Sequence, residues 1–166
     1  MKEIQLSQGR NCGNKGKYVA LVDDEDFENI NKHKWNVMKR GKTLYTQRHI
    51  TVDGKRTTIG IHNAVLNGKW IDHIDHDGLN NTRSNLRLCT RSENNMNQRK
   101  KNNCTSIYKG VYFSKNEKKW KSTIAINGKN VHLGYFVSET EAAKAYNAKA
   151  IELFCEFANL NIIPNE

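Results

Sequence analysis

Two dipeptides, Asp53-Gly54 and Asn127-Gly128, most narrow what this chain can become. Each lies between strand-forming runs: Thr43 to Val52 and Arg56 to Ile61 around the first, Lys119 to Asn127 and Asn130 to Phe136 around the second. Asp-Gly and Asn-Gly accept positive φ at both central positions of a two-residue turn, whose twist matches that of paired strands. An antiparallel hairpin is therefore expected in each half of the chain. Between the halves runs Gln98 to Asn103 (QRKKNN), polar, basic and without apolar residues. It reads as a linker, giving a first domain over 1–97, a basic linker over 98–106 and a second domain over 107–166. With 37% of residues apolar and 27% charged, each core must be modest, and small domains bury less of their surface.

The first half continues as strands and turns. Tyr18 to Val22 is strand-like, and Asp23 to Asp26 opens a short helix ending near Trp35. His62 to Leu66 forms one helical turn before Asn67-Gly68 breaks it. Ile71 to Asp75 and Leu86 to Cys89 read as strands around a polar loop, Asp77 to Asn85. Thr90-Arg91-Ser92-Glu93 fits a capping box at the start of another short helix. In the second half, Tyr108 to Phe113 precedes the hairpin strands, and Ser138-x-x-Glu141 caps a helix to about Phe154. Its apolar residues Ala142, Ala143, Tyr146, Ala150, Leu153 and Phe154 recur at helical spacing on one face. The fold class is α+β: a β-rich N-terminal region, a strand–strand–helix unit, then a three-stranded antiparallel sheet packed on one helix.

Lys and Arg outnumber Asp and Glu by 27 to 17, a net charge of +10. Such a surplus points to a polyanionic partner, because neutralising phosphates releases counterions; by itself it also fits a soluble basic protein. The first residues lack a signal-peptide core and no run could span a membrane, so the cytoplasm is the expected location. Cys12, Cys89, Cys104 and Cys155 are widely spaced, without the paired spacing of a four-cysteine zinc site. They read as small buried residues.

The chemistry concentrates in Asp72-His73-Ile74-Asp75-His76-Asp77-Gly78, followed by Asn80-Asn81, Ser84-Asn85-Leu86 and Ser92-Glu93-Asn94-Asn95. Phosphodiester hydrolysis requires an activated water and a stabilised leaving oxygen. Histidine titrates near neutrality and serves as a general base. A hard divalent cation on oxygen ligands stabilises the phosphate and leaving alkoxide. Asp72 and His73 are strand neighbours pointing to opposite sides, one suited to the cation and the other to the water.

This ordered pattern resembles the HNH endonucleases, in particular the phage and intron-encoded branch whose last motif residue is Asn, over roughly Val65 to Gln98. The resemblance implies metal ligation by Asp72 and Asn94, water activation by His73, and support of the loop backbone by Asn85. Mg²⁺ or Mn²⁺ is the implied cofactor, with Asn95 and Asn97 as alternatives to Asn94. The stretch from Gly16 to Trp35 resembles the N-terminal region of phage HNH proteins more loosely. His76 and Asp75 read as loop surface and His62 as a packing or supporting residue; His33 and His49 carry no signal. Arg83, Arg87, Arg91, Arg99, Lys100 and Lys101 are candidate phosphate contacts.

Downstream, Tyr108-Lys109-Gly110-Val111, Trp120, Ile124, Leu133-Gly134-Tyr135-Phe136, Glu141-Ala142-Ala143, Ala145-Tyr146 and Ala158-x-Leu160-Asn161 resemble the Apetala-type DNA-binding domain of plant ethylene-response factors. In that family a three-stranded sheet enters the major groove, one of the elements the groove admits. Alternation turns Trp120, Ser122, Ile124 and Ile126 toward the helix, with Val131 and Leu133. It leaves Lys121, Thr123, Ala125, Asn130 and His132 outward. Lys109, Tyr112 and Tyr146 match family contact positions, with a packed helix tyrosine as the alternative for Tyr146. Tyr112, Ser114, Ala125 and His132 stand where the plant factors carry Arg or Trp, so the plant target sequence does not transfer.

Together the resemblances imply a metal-dependent nickase or homing-type endonuclease acting on double-stranded DNA as a monomer or weak dimer. The competing reading is a DNA-binding regulator with a structural HNH core. An RNA-binding role is disfavoured, since the sheet lacks an evident row of exposed aromatics for stacking bases.

Overall fold

The computed structural model describes residues 1–7, 18–100 and 105–164. Cys12, Lys101 and Cys104 therefore lie outside the described residues, as does part of the expected linker. Two compact units are present, Met1–Thr90 and Arg91–Glu166. Among the described residues no helix is long and apolar enough to cross a membrane.

The first unit runs β1 (Lys2–Ser7), β2 (Tyr18–Val22), α1 (Asp24–Asn31), β3 (Trp35–Arg40), β4 (Thr43–Val52), β5 (Lys55–Ile59), α2 (Ile61–Leu66), β6 (Ile71–His73) and β7 (Leu86–Leu88). The first five strands form one sheet in the order β2-β1-β3-β4-β5, with β1 and β3 parallel and the other pairs antiparallel. The β4–β5 hairpin turns at Asp53 and Gly54, with φ of 49° and 72°. That double positive φ is what Asp-Gly was selected for.

Two strands escaped the sequence pattern. In β1 only Ile4 and Leu6 are apolar, and β3 hides its Trp35 and Val37 alternation behind a charged end. The first helix stops at Asn31, and Trp35 instead starts β3, its indole Nε1 donating to the Ile30 carbonyl at 2.8 Å. The core gathers Ile4, Ala20, Val22 and Trp35 from the sheet with Ile61 and Val65 from α2. Ile71 and Leu86 of the small β6–β7 pair join it. β6 also ends earlier than the expected strand from Ile71 to Asp75: a turn closes from the His76 amide to the His73 carbonyl at 3.0 Å, with His76 at φ 64°.

The second unit runs α3 (Arg91–Asn97), β8 (Val111–Ser114), β9 (Lys119–Ile126), β10 (Lys129–Phe136) and α4 (Glu139–Phe154). The three strands form an antiparallel sheet with β9 central. β8 starts later than expected because Gly110 takes φ +76°, where a Cβ would run into the Tyr146 ring. Ser138 caps α4, accepting from the Glu141 amide at 3.0 Å while the Glu141 carboxylate accepts from the Ser138 amide, as a capping box does. Ala142, Ala143, Tyr146, Ala150 and Phe154 bury one face of α4. Leu153, expected on that face, is 36% exposed.

Candidate active site

β6 and β7 pair antiparallel, placing Asp72 opposite Arg87 and His73 opposite Leu86. Both Asp72 and His73 are buried. The loop leaving β6 folds back onto the edge of the large sheet. The Leu21 amide donates to the Leu79 carbonyl at 2.9 Å, and the Asn81 amide to the Leu21 carbonyl at 2.8 Å. The polar loop thus adds itself to β2, which satisfies backbone groups on an otherwise open edge.

His73 is held from three sides. Asn81, fully buried, donates its Nδ2 to the Leu79 carbonyl at 3.0 Å. That fixes the amide so that its Oδ1 faces His73 Nε2 at 3.4 Å. An oxygen there makes Nε2 the donor and puts the basic lone pair of the neutral ring on Nδ1. The rings of His62 and Tyr45 meet His73 edge to face, with centroids at 5.0 and 5.9 Å. Burial lowers the His73 pKa from its ordinary value, against the Asn81 hydrogen bond and the nearby Asp75, Asp72 and Asp77 charges that raise it. The result favours the neutral imidazole, the form able to accept a proton.

His62 is pushed further, to about 4, by burial first and then by the charge of His73 and of Arg40. Its Nδ1 is buried without a hydrogen-bond partner. The ring lies back over Gly60, where any Cβ would collide with it. Sequence reading ranked His62 as a packing or supporting residue and did not single out Asn81. The signal for Asn81 was its place in the Asn80-Asn81 pair; its turn toward His73 depends on the loop docking on β2.

Asp72 Oδ2 accepts from Arg87, at 3.0 Å from Nε and 2.7 Å from Nη2. Arg87, read as a phosphate contact from its charge, is thus turned to Asp72 in a largely buried ion pair. Among the described residues no group of three or more His, Cys, Asp or Glu side chains is placed to hold a metal ion. A closed thiolate–imidazole cage does not fit this donor set. One carboxylate with carboxamide oxygens is the chemistry of a hard cation that keeps several waters.

Asn85 spans the loop. Its Oδ1 accepts from the Asp75 amide at 3.0 Å, and its Nδ2 donates to Asp75 Oδ1 at 2.9 Å and to the Asn80 carbonyl at 2.8 Å. Arg83, another candidate phosphate contact, remains exposed while its guanidinium bonds Asp26 at 2.8 Å through both Nε and Nη2.

Asn94 and Arg91 lie on α3 and belong to the second unit. Arg99 and Lys100 follow that helix outside regular structure. On the sheet, Tyr112, Asn130 and His132 are exposed and Lys121 and Thr123 partly so. The Lys121 ammonium lies over two rings, 5.6 Å from the Tyr112 centroid and 5.7 Å from that of Tyr135. Tyr135 was missed. Strict alternation from His132 would turn it inward, but a bulge between His132 and Gly134 shifts the register and brings it beside His132, centroids 4.7 Å apart. Val131, expected inward, pairs with Ile124 yet is 38% exposed.

Two of the expected DNA contacts are placed otherwise. Tyr146 is packed with Ile124, Ala150 and Phe154, and burial raises its pKa to about 12. The Lys109 ammonium donates to the Met96 carbonyl at 2.6 Å, and burial lowers its pKa to about 8.

Residues 65–96 match a family model described as HNH endonuclease. The chain is 33% identical over 145 residues to an uncharacterized HNH endonuclease of Acanthamoeba polyphaga mimivirus, covering 87% of this chain and 75% of that protein. It is 40% identical over 65 residues to Protein 3.8 of Escherichia phage T7, covering 39% of this chain and 54% of the phage protein. No solved structure matches it significantly. The matched segment contains the buried Asp72 and His73 and the loop that Asn85 spans, and with a relative aligned over most of both chains it settles the assignment: the chain belongs to the HNH endonuclease family.

Proposed function

We propose that the protein hydrolyses phosphodiester bonds in double-stranded DNA with His73 as general base and a divalent cation, Mg²⁺ or Mn²⁺, as cofactor. The observation that carries this reading is the buried imidazole of His73, its Nε2 facing Asn81 Oδ1 within the segment that matches the HNH family. His73 Nδ1 takes a proton from water, whose oxygen attacks phosphorus as the bond to the leaving oxygen breaks. Asp72 and Asn94 would hold the cation, which when bound supplies charge stabilisation to the phosphate and leaving oxygen. The role of Asn94 rests on its order in the motif. Asn85 keeps the loop after β6 in shape, and so keeps His73 on its strand end.

The C-terminal unit would deliver the duplex. Its sequence motifs resemble those of the Apetala-type reader, and Lys121, Tyr112, Thr123, Asn130 and His132 are the proposed contacts, joined by Tyr135. Arg91, Arg99 and Lys100 add positive charge along the backbone path. One centre per chain favours a nick, with the protein acting as a monomer or weak dimer. The viral and phage relatives support a mobile-element role in an infected cell.

The ion pair of Asp72 with Arg87 favours the second reading, a DNA-binding regulator whose HNH core is structural. Supercoiled plasmid incubated with and without Mg²⁺ separates the two. Relaxed circles that require metal support the nickase, and linear product would mean paired cuts. Intact plasmid that is nonetheless retarded in a binding gel would favour the regulator.

A further inference from the structure

The C-terminal unit does more with α3 than pack on it. Lys109 donates its ammonium to the Met96 carbonyl at 2.6 Å, in the last turn of the helix. Asn159 donates its Nδ2 to the Asn97 and Gln98 carbonyls, each at 3.1 Å. These carbonyls belong to the group that a helix C-terminus leaves without intrahelical partners. Between the two clamps Met96 packs on the cluster of Ile124, Tyr146, Ala150 and Phe154, and Asn97 is buried. A helix of seven residues has little stability of its own, so its position is set by what holds it.

Asn94 sits on this helix, two residues before Met96 and three before Asn97. We propose that Lys109 and Asn159 are positioning residues for cleavage: they fix α3, and with it Asn94, on the C-terminal unit. This rests on the proposed role of Asn94 as metal ligand. It gives Lys109 a different function from phosphate contact, since its amine is spent on a backbone carbonyl.

The test compares the full-length protein with Lys109→Met, Lys109→Arg and Asn159→Ala. Nicking of supercoiled plasmid is followed across a Mg²⁺ titration, beside metal-free DNA binding at several salt concentrations and thermal melting. Outer-sphere partners of metal ligands typically contribute about 10–100-fold to metal affinity or activity. The expected result is a loss of that order in kcat, or an equivalent rise in the Mg²⁺ requirement, for Lys109→Met and Asn159→Ala. KM for DNA and the salt slope stay unchanged, and Lys109→Arg, which keeps a donor, recovers most of the rate.

Unchanged cleavage in both clamp variants overturns the proposal. So does a Lys109→Met salt slope reduced by about 0.9, the mark of a lost phosphate contact, with normal kcat at saturating DNA. Loss of cleavage only in proportion to loss of folded protein, in both variants, overturns it too. A wild-type protein that cuts nothing at any metal concentration overturns the nuclease reading itself, a result distinct from all three.

Discussion

His62 and His73 meet edge to face in the core of the first unit, ring centroids 5.0 Å apart and planes inclined at 77°. Burial lowers the pKa of both rings, and the charge of His73 lowers that of His62 further. Both rings therefore carry less charge than an exposed histidine at the same pH.

The consequence is an acid-sensitive fold. The folded pKa of His62 lies at about 4, below the ordinary histidine value of 6.5. A group depressed in this way contributes stability that is complete above the unfolded pKa and is lost as pH falls toward the folded one. Between pH 6.5 and 4 the loss from His62 alone is ~3 kcal/mol. Denaturant unfolding at stepped pH should show this decline, and His62→Phe should flatten it. A wild-type stability that is level across that window would contradict the buried neutral pair.

Arg87 yields a prediction about metal. Removing one partner of a buried ion pair costs about 3–5 kcal/mol. Arg87→Ala should therefore destabilise the protein strongly in EDTA. Excess Mg²⁺ should restore part of the loss, because a cation bound at Asp72 stabilises the folded state by mass action. Melting curves with and without Mg²⁺ read this directly. Destabilisation that Mg²⁺ leaves untouched would argue against Asp72 as a metal ligand.

On the sheet, Lys121 lies over Tyr112 and Tyr135 with its ammonium exposed. Lys121→Ala should weaken DNA binding and reduce the log–log salt slope by about 0.9, one phosphate's share. Tyr135→Ala should weaken binding without altering that slope. A slope unchanged in Lys121→Ala would remove the outer face as the DNA surface.

Much of the architecture was legible where local chemistry decides the outcome. Asp53-Gly54, Asn127-Gly128 and the Ser138–Glu141 box each dictate backbone geometry over a few residues, and each appears as read. The strands β1 and β3 were not legible. Lys2–Ser7 buries Ile4 and partly buries Leu6, and Trp35–Arg40 buries Trp35 and Val37, too few to form a period, and their pairing is set by partners distant in sequence. The same holds at the site. Asp72 and His73 could be found from their order, whereas Arg87 on Asp72, Asn81 on His73 and Lys109 on Met96 depend on strand register and loop docking. The bulge that turns Tyr135 outward is likewise invisible to strict alternation.

The most direct test is the rate of plasmid cleavage by His73→Ala beside its affinity for the same DNA. The account predicts a loss of about 10²–10⁴-fold in rate with affinity nearly intact. In the wild type, the acid limb of the rate should fall below the ordinary histidine pKa, following the lowered pKa of the buried ring. Cleavage that survives in His73→Ala, or that disappears together with DNA binding, would contradict His73 as the base.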